Sequence, residues 1–179
     1  MGRNIDYQSI EPVPKFIKMK SNTIPYSPKK LLLATIDITI PTMYAYENHV
    51  KLTAKVGVQG VRGTSQILFK IYRDDVEIYT TEKIVESDPA SDKNYIAKIQ
   101  FTNRNVKDGS HTYKVTAENM TSDSEANVVG PITFSGLARE GDSSRDRSRN
   151  RNRRRDHDKE IVKELDSELD RLVRFLDKL

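Results

Sequence analysis

The feature that most constrains this chain is a strict alternation of apolar and polar residues with a period of two. It is clearest where Val50, Leu52, Ala54, Val56 and Val58 alternate with Lys51, Thr53, Lys55 and Gly57. Successive side chains of a β-strand point to opposite faces, so the pattern predicts a strand with one buried face. A helix would need a period of about 3.6 residues and could not bury these side chains together.

The same alternation recurs at short intervals and predicts further strands. The first of these strands places Leu32, Ala34, Ile36, Ile38 and Ile40 on one face and ends at Pro41. A hairpin is predicted to join Ile67–Tyr72 to Val76–Tyr79 through Arg73, Asp74 and Asp75, and Tyr95–Phe101 and Tyr113–Ala117 are predicted to form another antiparallel pair. The last strand is Val128–Phe134, in which Pro131 indicates a bulge or an edge position. Gly57, Gly60 and Gly63 are interpreted as a flexible crossing. Roughly seven short strands without amphipathic helices between them predict an all-β antiparallel sandwich, either a jelly roll or immunoglobulin-like.

Composition divides the chain into four parts. Residues 1–30 hold four prolines and predict an extended arm that either pairs at a sheet edge or stays loose. The sandwich is expected over residues 31–138, an Arg/Ser/Asp-rich tether over 139–157 and an amphipathic heptad helix over 158–179.

The residue inventory excludes several classes of site. The chain has no cysteine, which excludes a disulfide framework, a thiolate zinc site and a cysteine nucleophile. Met1–Asp6 lacks the apolar region of an export signal, and no apolar run approaches the ~20 residues of a membrane-spanning helix. We therefore expect a protein made without a signal peptide and without a membrane span.

The formal net charge of +4 is concentrated near the end of the chain. Residues 139–159 contain nine Lys and Arg against five Asp and Glu, and the remaining residues are balanced. This balance argues against a basic nucleic-acid footprint spread over the sandwich. The tether offers candidate anion contacts at Arg145, Arg147, Arg149, Arg151, Arg153, Arg154 and Arg155. Interspersed acids and the lack of aromatic residues favour a solvated linker there over nucleic-acid binding.

The last segment carries a heptad repeat. Val162, Leu169 and Leu176 occupy a positions, and Leu165, Leu172 and Leu179 occupy d positions. A helix this short is marginal in water by itself. Two alternatives remain open for its apolar stripe: packing on its own sandwich, or oligomerisation and docking on a partner.

The supply of catalytic groups is poor. His49, His111 and His157 show no metal-ligand spacing, and each is interpreted as an ordinary surface or edge histidine. The acidic clusters at Asp74-Asp75 and Glu86-Ser87-Asp88 are explained by turn chemistry. We expect no enzyme activity and no catalytic, cofactor or metal site.

Four segments carry a resemblance to a known family: VKLTAKVGV (50–58), LFKIYR (68–73), YKVTAEN (113–119) and VVGPITFSGLA (128–138). Over residues 31–138 the chain resembles the exosporium protein C family of spore-forming bacilli. The resemblance favours a jelly roll and implies a spore-surface protein of the exosporium or coat, synthesised in the mother-cell cytoplasm. The basic tether and the heptad helix depart from the family pattern.

Three functions are weighed on this basis. The first is a non-enzymatic structural or assembly protein of the spore outer layer or its appendages, which forms a homo-oligomer or binds other spore-layer proteins. The second is a carbohydrate- or surface-ligand-binding sandwich, with Tyr44, Tyr46 and either Tyr72 or Tyr79 as stacking residues. The third is nucleic-acid binding through Arg145–Arg155, which the acids in the tether disfavour.

Overall fold

The computed structural model describes residues 3–10, 22–88 and 94–141, and these residues confirm the all-β prediction. The strands are β1 Asn4–Ile10, β2 Asn22–Thr23, β3 Leu31–Ile40, β4 Asn48–Arg62, β5 Thr64–Arg73, β6 Val76–Glu86, β7 Asn94–Arg104, β8 Gly109–Asn119 and β9 Glu125–Glu140, with a 3-10 turn at Thr42–Tyr44. None of the described segments is a helix long and apolar enough to cross a membrane.

The strands form two antiparallel sheets that enclose one core. Sheet A has the order β1-β9-β4-β7, with the short β2 also paired to β9, and sheet B has the order β3-β8-β5-β6. From β3 onward the chain changes sheet at every connection except the β5–β6 hairpin. Neighbours in a sheet are therefore mostly distant in sequence, and the sandwich depends on long-range pairing.

The predicted hairpin around Asp74 and Asp75 is confirmed, but the predicted pairing of Tyr95–Phe101 with Tyr113–Ala117 is wrong. The first of these segments lies in β7 and pairs with β4 in sheet A, whereas the second lies in β8 and pairs with β3 and β5 in sheet B. Alternation specifies which face of a strand is buried, and it carries no information about the partner strand.

The core is built from alternate residues of both sheets. Its largest fully buried side chains include Tyr113, Phe69 and Phe134, and they are surrounded by Ile, Leu and Val from β3, β4, β5 and β7. Each such side chain contributes about 1.5–3 kcal/mol when transferred from water. The alternating apolar positions predicted from the sequence supply most of this core.

One predicted core residue is not buried. Ala34, Ile36, Ile38 and Ile40 point inward as expected, but Leu32 is 56% exposed. The pairing of β3 with β8 shifts register between Leu32 and Ala34. Such a bulge inserts one residue and reverses the side-chain alternation on its far side.

The glycines interpreted as a flexible crossing lie largely within a strand. Gly57 and Gly60 belong to β4, and only Gly63 follows it. A Cβ atom on Gly57 would lie 1.9 Å from the carbonyl oxygen of Gly130 on the neighbouring strand β9. The β4–β9 register shifts at this point, so the bulge predicted near Pro131 is present, although β9 is a central strand and not an edge.

The N-terminal arm contributes β1 and the short β2 to the sandwich. Residues Asn4–Ile10 form β1 and pair with β9 as the outermost strand of sheet A. The Asp6 carboxylate Oδ2 accepts a 2.8 Å hydrogen bond from the Thr39 amide of β3, the edge strand of sheet B. This side of the sandwich is therefore joined across both sheets.

Candidate functional site

The outer surface of sheet A carries a cluster of basic residues, which we call the basic face. It consists of His49, Lys51 and Lys55 on β4, Lys98 and Arg104 on β7, and Arg139 on β9. On β4 these residues alternate with the buried Val50, Leu52 and Val56, so their side chains lie on the solvent side of the sheet. The residues of β7 and β9 are in register with outward positions of β4 and lie on the same side.

The basic face contains no acidic residue. No Asp or Glu occupies the outward positions of His49–Gln59, Asn94–Arg104 or Thr133–Arg139, within the described strands. The balanced charge of the sandwich therefore conceals a segregation of cations onto one face. Sequence reasoning missed this surface because its residues come from three strands, and only their register places them together.

Two lysines of the basic face are direct cross-strand neighbours. Lys55 of β4 and Lys98 of β7 are paired in register, and neither forms an ion pair with a described residue. Like charges placed opposite each other on a sheet are destabilising. A repulsive pair at a regular sheet position is a local conflict of the kind found at functional surfaces.

A second charged cluster lies on sheet B and is internally paired. The Lys70 ammonium lies 2.8 Å from Oε1 of Glu118, whose side chain is only 3% exposed, and 3.4 Å from Glu77. Burial alone would raise the pKa of Glu118, but hydrogen bonds from Lys70 and Ser27 hold this pKa below its usual value. The hydrogen bond to Glu118 likewise raises the pKa of Lys70. This cluster joins β8 to β5, and its one ammonium group is already paired with two carboxylates.

The third cluster contains an aspartate–histidine pair. Asp74 sits in the β5–β6 turn with φ of +50°, and its carboxylate contacts His111 Nδ1 at 2.6 Å and the Thr112 amide at 2.9 Å. His111 Nε2 lies 2.9 Å from the Lys107 carbonyl oxygen, so each ring nitrogen faces an oxygen acceptor. Burial raises the pKa of Asp74, but the bonds from His111 and Thr112 outweigh it and keep that pKa low.

This pair has a structural role in the geometry observed. Both ring nitrogens of His111 face acceptors, so neither is positioned to accept a proton from a nucleophile. The contacts instead fix the β5–β6 turn, whose two central residues both have positive φ, against β8. Within the described residues, no group of three or more His, Asp or Glu is arranged to hold a metal ion.

The tyrosines predicted to stack on sugars, Tyr44, Tyr46, Tyr72 and Tyr79, are not brought together. Tyr46 is 60% exposed beside the 3-10 turn, whereas Tyr44 packs partly against the core. Tyr72 accepts a 2.7 Å hydrogen bond from Lys30, and Tyr79 stacks on Phe101 with ring centroids 4.9 Å apart. These rings do not form one exposed aromatic platform.

The predicted residues of the C-terminal segments lie outside the described residues. They are the anion contacts Arg145, Arg147, Arg149, Arg151, Arg153, Arg154 and Arg155 and the heptad positions Val162, Leu165, Leu169, Leu172, Leu176 and Leu179. The same holds for His157. His49 and His111, in contrast, lie within β4 and β8.

Comparison with solved structures yields distant likenesses. No family model matches the chain, and no curated protein matches its sequence. A chain from infectious bursal disease virus Gt strain has a TM-score of 0.45 at 10% identity, over 74% of this chain and 31% of that one. A chain from the Gx strain has a TM-score of 0.42 at 8% identity, over 78% of this chain and 33% of that one. Dimeric latent PorU from Porphyromonas gingivalis has a TM-score of 0.35 at 11% identity, over 76% of this chain and 13% of that one. This chain thus spans a third or less of each, and none of these likenesses bears on function.

Proposed function

We propose that the protein is a non-enzymatic structural or assembly protein of the bacterial spore outer layer, the exosporium or coat or its appendages. The sandwich associates with other copies or with other spore-layer proteins, and the heptad residues of 158–179 add an oligomerisation or docking helix. The spore-surface location rests on the sequence resemblance over residues 31–138. The assembly role is supported by the geometry of the sandwich edges.

We further propose that the sandwich is a jelly roll. Apart from the two-residue β2, the described strands divide equally between two sheets, and among them only β5 and β6 are successive strands of one sheet. An immunoglobulin-like sandwich keeps more successive strands side by side in the same sheet. Jelly rolls form such four-stranded pairs of sheets in shells and binding modules.

The observation that carries the assembly proposal is a pair of long edge strands on the same side of the sandwich. β6 and β7 each contain eleven residues, and each is hydrogen-bonded to one strand only within the described chain. The Tyr79–Phe101 stack joins them across the two sheets. Unpaired backbone groups along an edge are a template for pairing with another chain.

Exposed apolar side chains accompany these edges. On β6, Val76 is 63% exposed and Ile84 is 69% exposed, and on β7 Ile96 is 62% exposed. The opposite side also exposes Leu32 and Tyr7, but there the Asp6 carboxylate of β1 accepts a hydrogen bond from the Thr39 amide on the edge of β3. Association is therefore expected at the β6–β7 side.

Light scattering tests assembly on the full chain, on an Ile84→Lys variant and on a truncation ending at Gly141, which retains every described strand. We expect a multimer whose mass falls in Ile84→Lys, since a charge there disfavours pairing along β6. Leu32→Lys is the matched control, because Leu32 is equally apolar, 56% exposed and on the opposite edge strand of sheet B. A monomeric full chain that also captures no spore-layer protein would contradict the assembly role.

The truncation separates the two assembly devices. A multimer that becomes monomeric without residues 142–179 assigns association to the C-terminal helix, and one that persists assigns it to the sandwich. Location is tested separately by antibody labelling of intact spores. Labelling confined to the cytoplasm would exclude the spore surface while leaving the assembly result intact.

A further inference from the structure

We propose that the basic face of sheet A binds an acidic polysaccharide. The proposal goes beyond assembly, because it concerns a surface on the central strands β9 and β4 as well as on the edge strand β7. It rests on the arrangement of charge and hydrogen-bonding groups over the sheet.

The basic residues form two groups separated along the strands. His49 lies in register with Arg139 on one side and Arg104 on the other, and Lys55 lies in register with Lys98. His49 and Lys55 are three outward positions apart, a distance of about 20 Å along β4. Lys51 lies between them. A ligand that contacts both groups must be an extended chain with several negative charges.

Neutral polar side chains occupy the space between the two groups. Thr53 of β4 is in register with Gln100 of β7 and Ser135 of β9, and all three face outward. Hydroxyl and amide groups donate and accept hydrogen bonds in the way that sugar hydroxyls require. Cations at both ends and polar groups in the middle therefore match a polymer of acidic sugars.

Nucleic acid fits this surface less well. Proteins that bind single strands stack the bases on aromatic side chains. The outward positions of β4, β7 and the Thr133–Arg139 part of β9 include no aromatic residue, and Tyr7 on the flanking strand β1 is the nearest exposed ring in the sheet order.

The facing lysines support the same conclusion. Lys55 and Lys98 repel each other in the free protein, and a carboxylate placed between them would remove that repulsion. Relief of the repulsion between Lys55 and Lys98 therefore adds to the free energy of binding.

The test compares two full-length variants of equal charge. Lys51→Gln/Lys55→Gln changes the basic face on a central strand, and Lys29→Gln/Lys107→Gln removes two exposed lysines outside the face. Both retain the arginines of residues 145–155, so any contribution from that run is the same in each. Affinity is measured by titration calorimetry with polygalacturonate, neutral dextran, polyacrylate and single-stranded DNA.

We expect polygalacturonate to bind the unmodified chain. Its affinity should fall about fivefold in Lys51→Gln/Lys55→Gln and less than about twofold in the control, since each exposed charge contact contributes about two- to threefold. Dextran should not bind. Equal losses in both variants, or no binding of polygalacturonate, would overturn the proposal. The saccharide assignment would be refuted if polyacrylate, which lacks hydroxyls, bound as tightly as polygalacturonate. It would also be refuted if DNA bound more tightly than polygalacturonate and this binding depended on Lys51 and Lys55. Oligomeric mass, measured on the same samples, reports separately on assembly.

Discussion

Reversing one charge of the facing lysine pair should stabilise the protein. Lys98→Glu places a carboxylate in register with Lys55 in place of a second ammonium group. Cross-strand charge pairs contribute a few tenths of a kcal/mol to about 1 kcal/mol, and like charges cost a similar amount. Removing the repulsion and adding an attraction should therefore raise the free energy of unfolding by about 1 kcal/mol. For a domain of this size that corresponds to an increase in Tm of about 3–5 °C.

The measurement is thermal unfolding in low salt and in 1 M salt, with Lys51→Glu as the control. Lys51 changes charge on the same face, but its register partners Leu137 and Thr102 are uncharged. The gain of Lys98→Glu should shrink in high salt, where the Debye length is about 3 Å. The double variant Lys55→Glu/Lys98→Glu should lose the gain, because two carboxylates then face each other. An equal Tm rise in Lys51→Glu, or a gain that salt does not affect, would refute the reasoning.

Three further changes test the fold. Gly57→Ala should lower the free energy of unfolding by at least about 2 kcal/mol, because the new Cβ would lie 1.9 Å from the Gly130 carbonyl oxygen. Chemical denaturation measures this free energy, and an unchanged value would contradict the close approach of the two strands. Glu118→Gln should cost about 1–2 kcal/mol, since it removes the closest anion of the Lys70 ammonium and leaves Glu77 at 3.4 Å; an unchanged denaturation midpoint would exclude this role. Folding lowers the pKa values of Asp74 and Glu118, so both carboxylates stabilise the folded state. This stabilisation is complete above the unfolded-state pKa values of about 4, and it is lost as the pH falls through the lower folded-state values. Tm measured from pH 7 to pH 2 should drop over that acid range, and the drop should be smaller in Asp74→Asn.

Much of the sandwich could be predicted from alternation alone. The faces of β4, β5 and β8 follow from their sequences because every second residue is apolar and the buried face needs no other information. The hairpin at Asp74 was predictable because a turn connects strands that are adjacent in sequence. The exposure of Leu32 was not, since a bulge depends on the partner strand β8.

The candidate surface was less accessible to sequence reasoning. Lys55 and Lys98 are neighbours only because β4 pairs with β7, and no local pattern specifies that pairing. Their position on the polar side of each strand was evident from the alternation. Combining the polar sides of all strands into one surface required the register, which the structure supplies.

The place of β9 in sheet A affects how the chain can fold as it is synthesised. β9 lies between β1 and β4, and its segment up to Glu140 follows the other strands in the chain. Until this segment leaves the ribosome, Asn4–Ile10 has no partner in the sheet and one edge of β4 is open. Chain growth at about 5–20 residues per second leaves the apolar face of β4 without its β9 neighbour for several seconds. Nascent chains that stop before residue 134 should therefore depend on chaperones or aggregate.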